Sequence, residues 1–295
     1  MVTIVTMFFD LTRLPGSAPS TRSHEFYMKN GRATLSAPAQ MVIYCDSSTR
    51  PEIQKIREEV SSHPTVYVEK NIGDYDYFQM HYPIIVENRR RSVGYKDPNE
   101  RNTPAHFLTT MFKIPAIYLT NQRGYFPEST HYMWMDFGCS HMALDVPAGI
   151  LPIIENPHPK ISCGAIHYRS RRELYPMSQY LQWGGPCSLA GTIMTIQREY
   201  VSLFYTGMMS IFYEQLREGV GHTEEQALVY LYDHHPEWFT LYYSDYRSCL
   251  TNYHKSVYDH STIRTHFICN ALADGRTDLA RAAENSLHIQ SLANQ

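Results

Sequence analysis

Only six cysteines occur in 295 residues, at positions 45, 139, 163, 187, 249 and 269, and no two form a C-x-x-C pair. That spacing gives no zinc-ribbon or thioredoxin-like framework and leaves ordinary reduced thiols. Cations are not in surplus: 26 Lys and Arg face 29 Asp and Glu, for a net charge of −3. A duplex-binding surface needs excess cations to displace counterions, so no nucleic-acid partner is expected. No apolar run reaches the roughly 18 residues of a membrane span. The apolar start, Met1–Phe9, has no basic residue and ends at Asp10, unlike a signal peptide. The expectation is a cytoplasmic protein with no membrane span. G-x-S-x-G and G-x-x-x-x-G-K are both absent, so serine-hydrolase and P-loop chemistry lapse. Repeats, low-complexity tracts and a clean linker are absent too, which predicts one domain over 1–273 and a peripheral helical tail over 274–295.

What is present is a chain with 43% hydrophobic and 13% aromatic residues, enough for a large core. Val2–Phe9 and Met41–Cys45 are β-branched and aromatic runs, each closed by an aspartate, and read as buried parallel strands. A helix is expected from Ser23 to Leu35, and another from a Thr49-x-x-Glu52 capping box with Pro51 through Val60. Thr65–Glu69 is a third strand, so the first seventy residues predict an α/β sheet. Residues 74–121 read as helical around a loop at Gly94–Asn102, with a start at Thr103-Pro104 and a bend at Pro115. His131–Asp136 is a fourth strand, the Pro-rich 147–159 a connection, and Lys160–His167 another strand. Beyond Gly184-Gly185 the pattern turns helical. Val201, Phe204, Met208, Ile211, Phe212 and Leu216 form one apolar helix face. Thr223-x-x-Gln226 starts a helix to Asp233, and Trp238–Tyr243 is a short strand.

Asp10, Asp46 and Asp136 each close a predicted strand. Ligands of open parallel sheets sit beyond the strand carboxyl ends, so the three could meet a ribose, a base or a metal. Aspartate also ends strands simply by favouring turns, and for Asp10 and Asp46 both readings stay open. Asp136, followed by Gly138, offers an oxygen ligand suited to Mg²⁺ or Mn²⁺ bridging a diphosphate.

The blocks Thr3-Ile-Val-Thr-Met-Phe-Phe-Asp10, Met41-Val-Ile-Tyr-Cys-Asp46, the Lys113 helix and Tyr132-Met-Trp-Met-Asp-Phe-Gly138 resemble, in order, those of the HtrL/YibB family. Glu224-Glu225 and Tyr242-Tyr-Ser-Asp-Tyr246 extend the resemblance over roughly residues 3–255. That family is similar to GT-A glycosyltransferases. The resemblance therefore implies a mixed, mostly parallel α/β sheet with a helical C-terminal half. It also implies a nucleotide-sugar donor, a glycan or other hydroxyl acceptor, and Mn²⁺ or Mg²⁺. Thr6, Phe8, Asp10, Asp46, Lys113, Gly185 and Gly191 would bind the donor, with Lys113 neutralising the diphosphate and the Gly185–Gly191 loop holding the sugar.

Asp136 matches the last aspartate of the D-x-D motif, but Trp134 and Gly138 leave only one carboxylate there. His254 would then complete the metal site, unless it is a packing histidine. Glu224 and Glu225 are either helix-dipole complements or the general base, with Glu225 preferred. Arg89-Arg90-Arg91 reads as a solvated helix end or a phosphate clamp, and Asp245 carries no assigned duty.

Three other functions compete. Phe8-Phe-Asp10-Leu-Thr12 resembles a haloacid-dehalogenase nucleophile strand, yet Thr12 stands where that chemistry needs a second aspartate. Asp233-His-His235 resembles a phosphoesterase metal triad without partner acids nearby. A degenerate D-x-D also allows a nucleotide-sugar or glycan binder that transfers nothing.

Overall fold

The β-branched and aromatic runs of the sequence become the strands of one mixed sheet. The computed structural model describes residues 1–14, 22–91, 103–170, 174, 176–181, 188–221, 223–255 and 264–293. Among these, β1 (Val2–Phe8), β2 (Gln40–Cys45), β3 (Thr65–Glu69), β4 (His131–Met135), β5 (Ile161–Ala165), β6 (Leu189–Gln197) and β7 (Tyr242–Tyr243) lie in the order β3-β2-β1-β4-β6-β5-β7. The pairs β2–β3, β1–β2, β1–β4 and β5–β7 are parallel, and β6 runs antiparallel between β4 and β5. The mixed, mostly parallel sheet flanked by helices is the expected architecture.

Successive strand residues point to opposite faces, and both faces are apolar here. Val5, Met7, Val42, Tyr44, Tyr132 and Trp134 enter one core with helices α3 (Asp76–Arg91), α4 (Pro104–Arg123), α7 (Val201–Glu218) and α8 (Glu224–His234). Val2, Ile4, Met41, Ile43, Met133 and Met135 enter the other, with α1 (His24–Leu35), α2 (Arg50–Val60) and α5 (Val146–Glu155). Each such side chain contributes roughly 1.5–3 kcal/mol by leaving water, which fixes the register of every strand. α6 (Met177–Leu181), α9 (Arg264–Ala273) and α10 (Thr277–Ala293) complete the helices; α9 and α10 share a small core of Phe267, Ala271, Ala280 and Ala283. Among the described residues no helix is long and apolar enough to cross a membrane.

Several expectations change. The Pro-rich stretch 147–159 contains α5: Pro147 sits in its first turn, where a missing N–H costs nothing, and Pro152 forfeits a single bond, to the Ala148 carbonyl. The helical pattern expected beyond Gly185 is interrupted by β6, at nine residues a long strand. Its Met194 and Ile196 enter one core and Ile193 the other, so both faces are covered and no alternation announced it. α4 runs as one element from Pro104 to Arg123 with Pro115 inside it. Thr49 and Thr223 make no side-chain caps, whereas Ser23 and Thr103 cap α1 and α4 by accepting from the backbone N–H groups of Phe26 and His106. The strand expected over Trp238–Tyr243 is reduced to Tyr242–Tyr243.

From β1 the chain steps outward to β2 and β3, then returns to place β4 on the other side of β1. At such a reversal of strand order, open α/β sheets bind ligands in a crevice beyond the strand carboxyl ends. Asp136 directly follows β4 there.

Candidate active site

Four elements converge on Asp136. Lys113, buried in the middle of α4, places its ammonium 3.0 Å from Asp136 Oδ1 and 3.2 Å from the Gly191 carbonyl oxygen of β6. The same ammonium donates to Glu224 in the first turn of α8. Trp134 Nε1 donates to Asp136 Oδ1 at 2.8 Å. Burial alone would pull the Lys113 ammonium down, but Asp136 and Glu224 outweigh it and hold it above the usual lysine range. A Cβ at Gly191 would collide with the Glu224 carboxylate, which its ion pair with Lys113 holds in place.

Glu225, the next residue of α8, accepts from the Gly191 N–H at 2.9 Å and from Tyr246 Oη at 2.7 Å. Burial and then repulsion from Glu224 push its carboxyl up to about 7, against the pull of those two hydrogen bonds and of Lys113. His106 lies seven residues before Lys113 on the same face of α4. Burial lowers its proton affinity, and Glu224, Lys113 and Asp136 are among the charges it senses.

The cluster is unevenly open. The side chains of Lys113 and Glu224 are 6% and 4% exposed, whereas Asp136 is 36% exposed. Asp136 is thus the cluster member that faces the crevice. Two carboxylates against one ammonium leave a surplus negative charge, so an approaching diphosphate needs a further cation. Among the described residues no three His, Cys, Asp or Glu side chains gather as a metal cage. An open single carboxylate with surplus negative charge nevertheless fits a Mg²⁺ or Mn²⁺ ion that takes its other ligands from substrate phosphates and water.

The remaining predicted residues are dispersed. Lys113 is brought to Asp136, but buried between two carboxylates, so it braces the cluster from beneath instead of lying open in the crevice to meet a diphosphate. Asp46, 1% exposed, spends its oxygens on the backbone, with Oδ2 accepting from the Asp10 N–H at 2.6 Å and Oδ1 from the Ile72 N–H at 3.1 Å. Asp10 accepts from the Thr12 N–H and hydroxyl. Both tie strand exits together, the turn role that aspartate favours. Thr6 is buried in β1. Phe8 stacks on Phe137 at 5.0 Å and lies 5.4 Å from Tyr27. Both belong to the face of β1 that carries Ile4, opposite to that of Asp136 and Lys113. Gly185 lies outside the described residues.

His254 is a correction. Its Nε2 bonds the Pro152 carbonyl oxygen near the end of α5, and its ring packs edge-on to His158 and Tyr253. His158 in turn bonds Ser162 Oγ near the start of β5, which pairs through Thr195 with Met133 in the middle of β4, so the contacts of His254 lie away from the carboxyl edge that carries Asp136. There it lines a cavity of about 450 Å³ with His158, Tyr242 and Arg276. Among the described residues that line it there is no carboxylate; His158 is stacked on Tyr253 and Arg276 is paired with Asp278. Arg90 and Arg91 pair with Glu87 on the surface, while Arg89 lies over the Phe107 ring. Asp245 locks a turn by accepting from the Arg247 and Ser248 N–H groups. Asp233 is paired with Arg169 and bonded by Tyr180 Oη.

Sequence reasoning gave no role to Tyr246, His106 or the Trp134 N–H. The spacing of His106 and Lys113 on one helix was the available signal; Tyr246 had none beyond its block.

No family model matches the chain, and no curated protein matches it. Among solved structures it is similar to mouse xyloside xylosyltransferase 1 in its apo form, with 10% identity over 81% of this chain and 83% of that one, at a TM-score of 0.46. It is also similar to core-mannan synthase A of Aspergillus fumigatus in a Mn/GDP form, with 7% identity, 81% and 72% covered, and a TM-score of 0.44. A third is 4-diphosphocytidyl-2C-methyl-D-erythritol synthase of Anaerococcus prevotii, with 9% identity, 74% and 82% covered, and a TM-score of 0.35. These are distant likenesses, and the chemistry has to be read from this chain's own residues.

Proposed function

We propose that the protein transfers a glycosyl group from a nucleotide diphosphate sugar, a uridine diphosphate sugar first among them, to a hydroxyl of a glycan or other acceptor. One observation carries the reading. Glu225, with a carboxyl that titrates near 7, stands beside the Lys113–Asp136–Glu224 cluster at the crevice of the sheet. A base poised near the working pH is what removal of a hydroxyl proton asks for. The resemblance of its ordered sequence blocks to those of the HtrL/YibB family points the same way.

Glu225 takes the acceptor proton as the acceptor oxygen bonds to the anomeric carbon. The bond from that carbon to the diphosphate breaks, and the electron pair leaves with the diphosphate. Asp136 would hold a Mg²⁺ or Mn²⁺ ion, which when bound neutralises charge on the diphosphate. Lys113 bonds both Asp136 and Glu224 and fixes them in place, so the field is organised before substrate arrives. The Gly191 backbone, between Lys113 and Glu225, is the proposed border of the sugar position.

Incubation with a panel of nucleotide sugars, with and without Mn²⁺, tests this by release of free nucleotide diphosphate. Release with at least one donor, reduced about 10²–10⁴-fold by Glu225→Gln, is the expected result. Nucleotide binding without release across the panel would replace it with the binding-module reading, which the already occupied oxygens of Glu225 favour.

A further inference from the structure

We infer that Tyr246 is a positioning residue for the base: its hydroxyl fixes the Glu225 carboxylate and sets the pH at which that carboxylate becomes available. This rests on the function proposed above for Glu225, but the contact itself does not.

Tyr246 Oη donates to Glu225 Oε2 at 2.7 Å while the Gly191 N–H holds Oε1. The carboxylate is therefore gripped at both oxygens, from two segments distant in sequence. The segment carrying Tyr246 is itself tied down. Ser244 N–H donates to the Ala165 carbonyl of β5, and Asp245 Oδ1 accepts from the Arg247 and Ser248 N–H groups and the Ser248 hydroxyl. Leu144 N–H donates to the Arg247 carbonyl at 2.7 Å, joining this turn to the chain that leaves β4 past Asp136. A donor held so firmly keeps its hydrogen bond without having to be ordered first.

The groups that bear on Glu225 come from each packed element: Glu224 on α8, Lys113 on α4, the Gly191 N–H on β6, Cys163 on β5, and Tyr246. Glu224 and burial favour the protonated form, whereas Lys113, Gly191 and Tyr246 favour the ionised one. Of the groups that favour ionisation, Tyr246 lends a single hydroxyl and can be altered without changing a charge. A hydrogen bond to the charged form lowers a carboxyl's proton affinity, so removing this hydroxyl moves the midpoint upward.

The test is a ¹³C titration of the full chain labelled at glutamate carboxyls, with Glu225→Gln used to identify the Glu225 resonance. Tyr246→Phe should raise the Glu225 midpoint by about one pH unit. At pH 7 the transfer rate constant should then fall about fivefold, with donor KM unchanged and the rate recovering at higher pH. 3-Fluorotyrosine at position 246, a stronger acid of nearly the same size, should move the midpoint down. It also keeps the test available if Tyr246→Phe does not fold. A midpoint that stays within about 0.3 unit in both proteins would overturn the inference and leave Tyr246 a packing residue. A shifted midpoint in a protein that releases no nucleotide from any donor would retire glycosyl transfer while leaving the Tyr246–Glu225 coupling standing.

Discussion

The exits of β1 and β2 and the exit of β4 lie along the same edge of the sheet, and each ends in aspartate. They differ in what the carboxylate meets. At Asp46 both oxygens accept from backbone N–H groups of neighbouring strand exits and turns, and at Asp10 one oxygen accepts from the N–H and hydroxyl of Thr12. At Asp136 one oxygen accepts from an indole and a buried ammonium, and the side chain remains partly open to solvent. A carboxylate satisfied by the backbone is finished as a chemical group. One satisfied by an indole and an ammonium, and left open on one side, can still respond to a ligand. Position at the carboxyl edge alone therefore does not make an aspartate functional; the partner does.

The sharpest way to break that contrast is Asp136→Asn. It keeps an acceptor for Trp134 and Lys113 and leaves Lys113 paired with Glu224, so the fold should survive while transfer falls by about three powers of ten. Near-normal turnover would put Asp136 in the same class as Asp46. Next in size is Lys113→Ala, which leaves Glu224 buried without its cation. Denaturant unfolding should register a loss of about 3–5 kcal/mol, and a loss below 1 kcal/mol would mean the pair behaves as a surface contact.

Glu225 should appear in the pH dependence of stability. Its carboxyl titrates near 7 when folded, against an ordinary value of 4.5. The folded state then holds its proton more tightly than the unfolded chain. The contribution is fully present below 4.5 and is lost as pH rises to about 7, amounting to about 1–3 kcal/mol. Glu225→Gln should flatten that stretch of the stability profile, and an unchanged slope would remove the buried-acid reading. Asp46→Ala, by contrast, strands two backbone N–H groups, so about 1–3 kcal/mol of stability should go with the catalytic constants of the remaining folded protein nearly intact. Smallest of all is His254→Ala, with less than about 0.5 kcal/mol expected and Mn²⁺ dependence of transfer unaltered. A tenfold change in that dependence would return the histidine to the site.

Much of the sheet was legible because β1, β2 and β4 are short runs rich in β-branched, aromatic and other apolar residues closed by aspartate, and such runs have few other uses. β6 was not. Leu189–Gln197 contains glycine and three polar residues, and its strand state is decided by the pairing offered by β4 and β5. α5 was hidden by two prolines whose cost depends on where in a helix they fall. In the site, Asp136, Lys113, Glu224 and Glu225 could be named from their blocks, but the assignments around them could not be sorted. Asp46 and Asp136 look alike in sequence, and nothing local says that one will be consumed by N–H groups. His254 seemed free to reach Asp136 until its contacts with Pro152 and His158 placed it away from the carboxyl edge.

By itself, then, the sequence determined which residues point into which core, because side-chain alternation and apolar burial act over a few neighbouring residues. Only the tertiary structure decided which charges meet. Lys113 and Glu224 are 111 positions apart, and their ion pair forms because α4 and α8 both pack on one face of the sheet. At that depth the cost of leaving either charge unpaired holds the arrangement in place.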